Sequence, residues 1–539
     1  MIDAPSRRTL LTGALAGMTL PSAASPARAA AFPARLNFVV ILADDLGWGE
    51  IGSQGQRMIA TPNLDKLAAE GVRFEAAYSG APLCAPSRCS LLTGLHAGHA
   101  TVRENPEGGA QRSLTEADLT FGELLQLAGY RTACIGKWGF GPEKAGQASH
   151  PNERGFSEFF GYIGHRHAHQ YYPEYLWHND TPVPLAREAY APDLFLERAV
   201  DFIKQPSDQP FLLYYATNLP HSPSVIPGGA GQYARKPWTR ANRGHAAQVT
   251  RLDTDVAKIV RALREADVAE DTLVLFTSDN GPHRERGVTP WLFDSNGPLR
   301  ADKRDLYEGG IRVPLIAWSP KLRPRVEKRP VALYDILPTL AELAEVPVPD
   351  RIDGLSFRRL LNGRSAPRHD HLVWNRPRKA QAIRRGRWKA IRFAPGIAGA
   401  GPEGRVELYD LATDLGEQRD LAQRRPELAT ELMTLLDEAI GPDPRRPYGL
   451  KVMGAADEVT VTLVNGSAEP WRRVRLGLDL AQGRRLAARD EVATLLPGEE
   501  CSAVFRVSGD RPVTASAAFR ADGRRHTFRR RARVERALM

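Results

Sequence analysis

Two continuous apolar runs, each cut off by acidic residues, constrain this chain more than any other feature. Leu36 to Ala43 reads Leu-Asn-Phe-Val-Val-Ile-Leu-Ala and stops at Asp44-Asp45. Asp271 to Ser278 reads Asp-Thr-Leu-Val-Leu-Phe-Thr-Ser and stops at Asp279-Asn280-Gly281. Apolar residues without polar alternation suit a strand buried on both faces, as in the middle of a parallel sheet. Thr132 to Ile135 and Phe211 to Ala216 are further strand candidates, with helical patterns at Thr61 to Gly71 and Leu119 to Gly129. Strands alternating with helices predict an α/β sandwich. In open α/β sheets functional groups collect just beyond the carboxyl ends of strands, where both acidic pairs stand.

The pattern changes in the second half. Val331 to Ala344 reads as a helix and Asp353-Gly354 as a turn. Short strands follow at His371 to Trp374, Gln381 to Arg384, Trp388 to Phe393 and Leu408 to Leu411, then a helix from Pro426 to Ala439. Pro442, Pro444 and Pro447 mark a linker. Val459 to Val464 and Val474 to Leu480 alternate as strands, so residues 448–539 read as an appended all-β sandwich module. A chain of 539 residues exceeds what one core accommodates. Its 4 cysteines form neither a disulfide framework nor a zinc-ligand spacing.

The formal charge of +10 is unevenly placed. Residues 451–539 hold 17 Lys/Arg against 11 Asp/Glu, and residues 1–29 hold Arg7, Arg8 and Arg28 against Asp3. The remaining body is nearly neutral, which removes the basis for a nucleic-acid partner. Arg524-Arg525 and Arg529-Arg530-Arg531 read as a solvated strand or tail. Ser6-Arg7-Arg8 followed by an apolar stretch to Leu20 and by Ala27-Arg28-Ala29 has the layout of a twin-arginine-type signal over residues 1–30. The expectation is a chain exported to the periplasm or secreted after cleavage. No stretch has the length and apolarity of a membrane span, so an integral membrane protein is not expected.

The chemistry concentrates in Cys84-Ala-Pro-Ser-Arg-Cys-Ser-Leu-Leu-Thr-Gly94. Leu91 and Leu92 point to a helix starting at this cysteine, with Pro86 suited to a first helical position. The positive end of a helix favours an anionic form of Cys84, and Arg88 adds a fork of donors matched to a tetrahedral oxyanion. Asp44, Asp45, Asp279 and Asn280 offer hard oxygen ligands that suit Ca²⁺ or Mg²⁺.

Cys-x-Pro-Ser-Arg followed by Leu-Leu-Thr-Gly resembles the signature of the type I sulfatases, the formylglycine-dependent branch of the alkaline phosphatase superfamily. The resemblance spans roughly residues 36 to 440. It implies that a formylglycine-generating enzyme oxidises Cys84, whose hydrated aldehyde is then the nucleophile. It also implies a calcium ion, in preference to magnesium, held by Asp44, Asp45, Asp279, Asn280 and residue 84. Gly129-Tyr130-Arg131-Thr132 and Gly136-Lys137-Trp138 resemble the family's second motif. There Lys137 binds sulfate together with Arg88 and with Lys303, which precedes Glu308-Gly309-Gly310-Ile311-Arg312. His221, in Pro220-His221-Ser222-Pro223, matches the histidine that protonates the leaving alcohol, a task suited to a pKa close to working pH. His283 lies within reach of substrate without an assigned role.

The chain departs from the family where Gly139 stands in place of a common histidine. A bacterial branch resembling this chain shares Gly-Lys-Trp-Gly and carries Ala168-His169-Gln170-Tyr171-Tyr172-Pro173. His169 is therefore the candidate replacement, set against a plain reading in which His165, His167 and His169 line a surface loop. The implied fold is an alkaline-phosphatase-like α/β sandwich with a central mixed sheet over residues 31–368. A smaller antiparallel subdomain follows over 369–447, ahead of the all-β module. The implied activity is hydrolysis of an aryl or carbohydrate sulfate ester. Phosphate or phosphonate ester cleavage, and an inactive protein that binds sulfated polymers, are the alternatives.

Overall fold

The computed structural model describes residues 36–106, 111–348, 352–397, 401 and 404–440. Beyond them it describes 448–455, 458–465, 471–480, 485–487, 491–496, 499–506, 511–521 and 524–534. The export-signal segment and the proline linker lie outside the described residues.

Both apolar runs form strands at the centre of an 11-stranded sheet. In chain order its main strands are β1 (Asn37–Ala43), β2 (Val72–Tyr78), β3 (Arg131–Lys137), β4 (Glu158–Tyr162), β5 (Tyr175–His178), β6 (Thr181–Pro184), β7 (Phe211–Ala216), β8 (Thr272–Ser278), β9 (Arg312–Trp318) and β10 (Arg325–Glu327). Their spatial order is β10-β2-β9-β8-β1-β7-β3-β4-β5-β6. β8, β1, β7, β3 and β4 run parallel, so their carboxyl ends share one edge. The antiparallel pairs β8–β9, β2–β9, β4–β5 and β5–β6 flank this parallel centre, which makes the sheet mixed.

Alternate residues of β1 enter two different cores, which explains the run without polar interruption. Phe38, Val40 and Leu42 pack with α2 (Cys84–Thr93) and α3 (Phe121–Leu127), together with Ile336, Leu337 and Leu340. Val39 and Ile41 pack on the other face with Leu64 and Leu67 of α1 (Pro62–Glu70), with Phe195 of α4 (Ala191–Lys204) and with Val249 and Leu252 of α5 (Arg240–Glu265). Each such side chain contributes about 1.5–3 kcal/mol by leaving water.

The single helix expected over Val331 to Ala344 is a composite. Val331–Ala332 pairs with β2, Leu333–Asp335 is a 3₁₀ turn, and the α-helix spans Ile336–Leu343. Asp335 sets the break, because its Oδ2 accepts from the Ala332 amide at 2.8 Å. Pro338 then occupies the helix's first turn, where its missing N–H costs nothing.

The smaller sheet is antiparallel, with strands Leu372–Arg376, Ala380–Arg385, Trp388–Phe393 and Arg405–Asp410. The helix Pro426–Ala439 packs Leu432 and Leu436 against it. Further on, a three-stranded and a five-stranded sheet share a core of Val459, Val461, Leu463, Trp471, Leu478 and Phe505.

Candidate active site

The parallel register places the two acidic pairs side by side. Ala43 is opposite Ser278 across β1 and β8, so Asp44-Asp45 and Asp279-Asn280 leave the sheet together. The Asp45 amide donates to Asp279 Oδ1 at 3.0 Å, and Asn280 Nδ2 donates to Asp45 Oδ1 at 2.7 Å. Asp45 takes φ +67°, a left-handed conformation that a non-glycine residue adopts at a cost, here within a fully buried site. The Asp44 amide donates to Leu219 O at 2.9 Å, which ties in the loop beyond β7 that carries His221. Cys84 opens α2 with its Sγ 3.6 Å from Asp45 Oδ1.

The cations follow. Lys137, the last residue of β3, places Nζ 2.7 Å from Asp44 Oδ2. Gly136 allows this turn with φ +110°, since a Cβ there would lie 2.1 Å from Ala216 O. Lys303 Nζ lies 2.6 Å from Asp45 Oδ2, 3.2 Å from His221 Nε2 and 3.2 Å from Glu285 Oε1. Arg88 does not present the open fork expected of it. Its Nε and Nη2 lie 3.0 and 2.9 Å from Asp279 Oδ2, Nη1 donates to Lys137 O at 2.8 Å, and Nη2 is 3.5 Å from Asp44 Oδ1. Arg88 therefore locks the aspartates and the end of β3 in place.

Three further sequence expectations are corrected. Cys84 is itself the first residue of α2, so Pro86 stands third. Burial pushes the Cys84 thiol well up, outweighing Lys137 and Lys303, so the helix start does not hold it as an anion. His221 Nδ1–H donates to Ser222 O at 2.6 Å, which leaves Nε2 toward the site. Burial and then Lys303 push this histidine down to about 3, far from working pH. An anion seated against Lys303 would take up that ammonium's charge and lift His221 again.

The donor set fits a hard cation. Asp44 Oδ1 and Asn280 Oδ1 are buried and accept no hydrogen bond. Ligand atoms of Asp44, Asp45, Cys84 and His221 lie within 4.8 Å of one another. Burial and then Asp44 push Asp279 up to about 7, the cost of crowding carboxylates that a divalent ion would relieve. His96, His99 and Asp353 form another close group, but one of a different kind. His96 Nδ1 accepts from the Gly98 amide at 3.0 Å, so its proton is on Nε2, facing Asp353 Oδ1 at 3.6 Å. Asp353 also accepts from the His96 amide at 2.9 Å and lies 2.8 Å from His99 Nδ1, a hydrogen-bonded clasp.

The histidine-rich segment is not a surface loop. His165 and His167 are buried, and His169 stacks on His221 with centroids 4.5 Å apart at 14°. Gly139 has φ +95°, and a Cβ there would lie 3.2 Å from Arg88 Cδ, so a histidine at this position is strained in its backbone and tight against Arg88. Its amide donates to Ile163 O at 3.1 Å, which puts the segment after β4 beside it. His283 is committed elsewhere: Nδ1 accepts from the Glu285 amide at 3.1 Å and Nε2 faces Pro220 O at 3.3 Å.

Several supporting residues escaped the sequence reading. The Tyr171 hydroxyl donates toward Asn218 O and His221 O at 2.7 and 2.6 Å, anchoring the loop of His221. Lys389, on the small sheet, lies 3.0 Å from Glu308 and 2.8 Å from Glu417, all three buried. Glu417 Oε2 accepts from the Glu308 amide at 2.6 Å, and Arg300 donates to Glu417 O at 2.7 Å. The small sheet thus grips both flanks of Lys303. The glutamates lie in unremarkable local sequence, and only Glu308 stands in a recognisable motif.

The family model Sulfatase matches residues 36–346 of the 539. The chain belongs to the sulfatase family. A second model, N-sulphoglucosamine sulphohydrolase, C-terminal, matches residues 300–440, and the all-β module lies beyond both. N-acetylgalactosamine-6-sulfatase of Canis lupus familiaris is 34% identical over 397 residues, covering 67% of this chain and 72% of that protein. Arylsulfatase A of Homo sapiens is 33% identical over 443 residues, covering 71% and 83%. The crystal structure of Ps i-CgsB in complex with k-i-k-neocarrahexaose superposes with a TM-score of 0.66 at 28% identity, covering 75% of this chain and 92% of that one. This is an arylsulfatase-like sulfatase of the alkaline phosphatase superfamily, an enzyme that hydrolyses sulfate esters. Among the described residues no helix is long and apolar enough to cross a membrane.

Within this family Gly139 carries a sharp expectation. Gly139→His restores the common family residue, yet it forces a left-handed β-carbon onto Arg88. It should cost about 1–3 kcal/mol of stability and at least about tenfold in turnover of p-nitrophenyl sulfate. Thermal unfolding and initial rates measure the two losses.

Proposed function

We propose that this sulfatase acts on sulfated saccharides, with Cys84 oxidised to formylglycine beside a calcium ion. One observation carries the reading: Cys84 Sγ lies 3.6 Å from Asp45 Oδ1, with the Lys137 and Lys303 ammoniums on the flanking aspartate oxygens. When present, the formylglycine supplies an oxygen nucleophile and the divalent ion neutralises sulfate oxygens.

This chain's own residues then divide the remaining work. Asp44, Asp45, Asp279 and Asn280 hold the ion, and Arg88 fixes Asp279 and Asp44 in place. Lys137 and Lys303 face the sulfate oxygens and stabilise charge on the transferring group. The pair of Lys303 Nζ and His221 Nε2, 3.2 Å apart, delivers a proton to the departing oxygen from the Nε2 side. His169, stacked on His221, excludes water from that side and is the candidate for the role left open at Gly139. Burial and then Lys137 push His169 down to about 4, so it works there as a neutral imidazole.

The saccharide substrate is supported by the complex of Ps i-CgsB with a neocarrahexaose and by the name of the N-acetylgalactosamine-6-sulfatase relatives. Maturation by a formylglycine-generating enzyme and export behind the twin-arginine-type signal belong to the same proposal. Export after folding is consistent with oxidation of Cys84 in the cytoplasm before export. Sulfate release from a panel of sulfated saccharides, against p-nitrophenyl sulfate, tests the reading. Mass spectrometry of the peptide spanning Cys84 accompanies it. A converted residue 84 with no sulfate released from any ester would refute it.

The metal has its own test. Chelation should lower the melting temperature and abolish turnover, and calcium should restore both. A ligand at a hundred times its dissociation constant stabilises by about 2.7 kcal/mol, so the calcium titration should shift unfolding measurably. Magnesium should do so less, and zinc should not restore turnover. An unfolding curve indifferent to chelator and calcium would exclude the ion.

A further inference from the structure

The site holds a carboxylate that sulfate binding does not call for. Arg88, Lys137 and Lys303 stand against Asp44, Asp45 and Asp279, and Glu285 is a fourth acid on the outer side. Its Oε1 is 3.2 Å from Lys303 Nζ and its Oε2 is 3.8 Å from His221 Nε2, so it borders both the sulfate and the leaving group. A negative charge beside an ammonium that receives an anion weakens the pull on every anion. Lys303 does not need it to be buried, because Asp45 already pairs with that ammonium at 2.6 Å.

The chain nevertheless fixes Glu285 with care. Oε1 accepts from Arg304 Nη2 at 2.7 Å, Oε2 from Ser222 Oγ at 3.1 Å, and its amide donates to His283 Nδ1 at 3.1 Å. Arg286, the residue after Glu285, and Arg304, its ion-pair partner, take φ +50° and +84°, conformations uncommon outside glycine. Backbone strain beside a functional group points to a selected geometry. Lys303 and His221 hold the Glu285 carboxyl well below the ordinary range against the opposing effect of burial, so it stays charged at any working pH.

We propose that Glu285 is a charge-selecting residue that admits a singly charged sulfate ester and penalises a doubly charged phosphate ester. The proposal rests on the sulfatase reading of the site and extends it. A sulfate monoester carries one negative charge, whereas a phosphate monoester carries close to two above its second pKa of about 6. Removing Glu285 strengthens attraction for both, but the dianion gains for each of its two charges. The residue therefore gives up affinity for the correct substrate and in return rejects an abundant isostere, the general logic of specificity by repulsion.

Calcium-loaded Cys84→Ala protein, which cannot turn over either ester, allows the binding of p-nitrophenyl sulfate and p-nitrophenyl phosphate to be measured by calorimetry. Adding Glu285→Gln should tighten the phosphate ester by about tenfold relative to the sulfate ester near pH 8. The gap should shrink as the pH falls below the second pKa of p-nitrophenyl phosphate, which its electron-withdrawing ring sets under the value of about 6 of an ordinary phosphate monoester, because the ester then becomes a monoanion. Glu285→Asp, which keeps the charge, should keep the ratio of the parent. An unchanged ratio in Glu285→Gln overturns the proposal. So does equal weakening of both esters without rescue by Glu285→Asp, which marks a purely structural residue. If the parent binds neither ester, the sulfatase reading of the site falls and the proposal with it.

Discussion

Replacing Cys84 by alanine should lower kcat/KM for p-nitrophenyl sulfate by at least about 10⁴-fold, with the fold intact. The size follows from what the residue supplies. If residue 84 becomes the nucleophile, its removal leaves only the binding and electrostatic machinery, which elsewhere retains a small residue of catalysis over water. The stability effect should be small, because Cys84 lies at the first position of α2 and its Sγ makes one long contact, 3.6 Å to Asp45. Exchange for alanine removes a single sulfur. Parallel measurement of the melting temperature separates the two effects: unchanged unfolding with activity within tenfold of the parent would show that residue 84 is not the nucleophile.

What the sequence made legible follows from how locally each feature is determined. In the parallel centre β1, β3, β7 and β8 were readable because each lies between two cores, so burial alone sets their composition, whereas β4 was not read. Asp44, Asp45, Asp279 and Asn280 were readable because a parallel register brings the ends of neighbouring strands together. Arg88 shows the limit of such reading. Its position was right, but its partners are Asp279, Asp44 and the Lys137 carbonyl, contributed by three distant segments. A guanidinium written as an anion fork turned out to hold the machinery that faces the anion.

His221 shows the same limit. Its motif marks the location, but its titration depends on burial and on Lys303, 82 positions away in sequence. Gly139 gave the converse lesson. A missing histidine reads as a defect in one dimension, but in three dimensions φ +95° and the nearby Arg88 side chain make any side chain there strained. The segment after β4 brings His169 into a stack against His221. Glu417 and Lys389 had no local signal at all, since their purpose lies in gripping a loop more than 80 residues upstream.

The same coupling makes Lys137 the second position where a single change should have a large effect. Lys137→Ala should lower kcat/KM for a sulfate ester by about 10²–10³-fold, the usual loss when one charge-stabilising donor is removed from a reacting group. It should also destabilise the fold by about 3–5 kcal/mol, because it removes one partner of a buried ion pair and leaves the other charged. Here the orphan is Asp44, whose Oδ2 loses an ammonium at 2.7 Å and whose Oδ1 keeps only Arg88 at 3.5 Å. Those numbers give the test its signature. An aspartate stripped of its ammonium binds a cation more strongly, so the calcium-dependent rise in melting temperature should be larger in Lys137→Ala than in the parent. Lys137→Met, which fills the volume without the charge, should show the same larger calcium response and recover part of the packing loss. If calcium stabilises parent and variants equally, Asp44 is not a ligand of the ion. The proposed division of the site, in which Asp44 holds the ion and Lys137 faces the sulfate, would then be wrong.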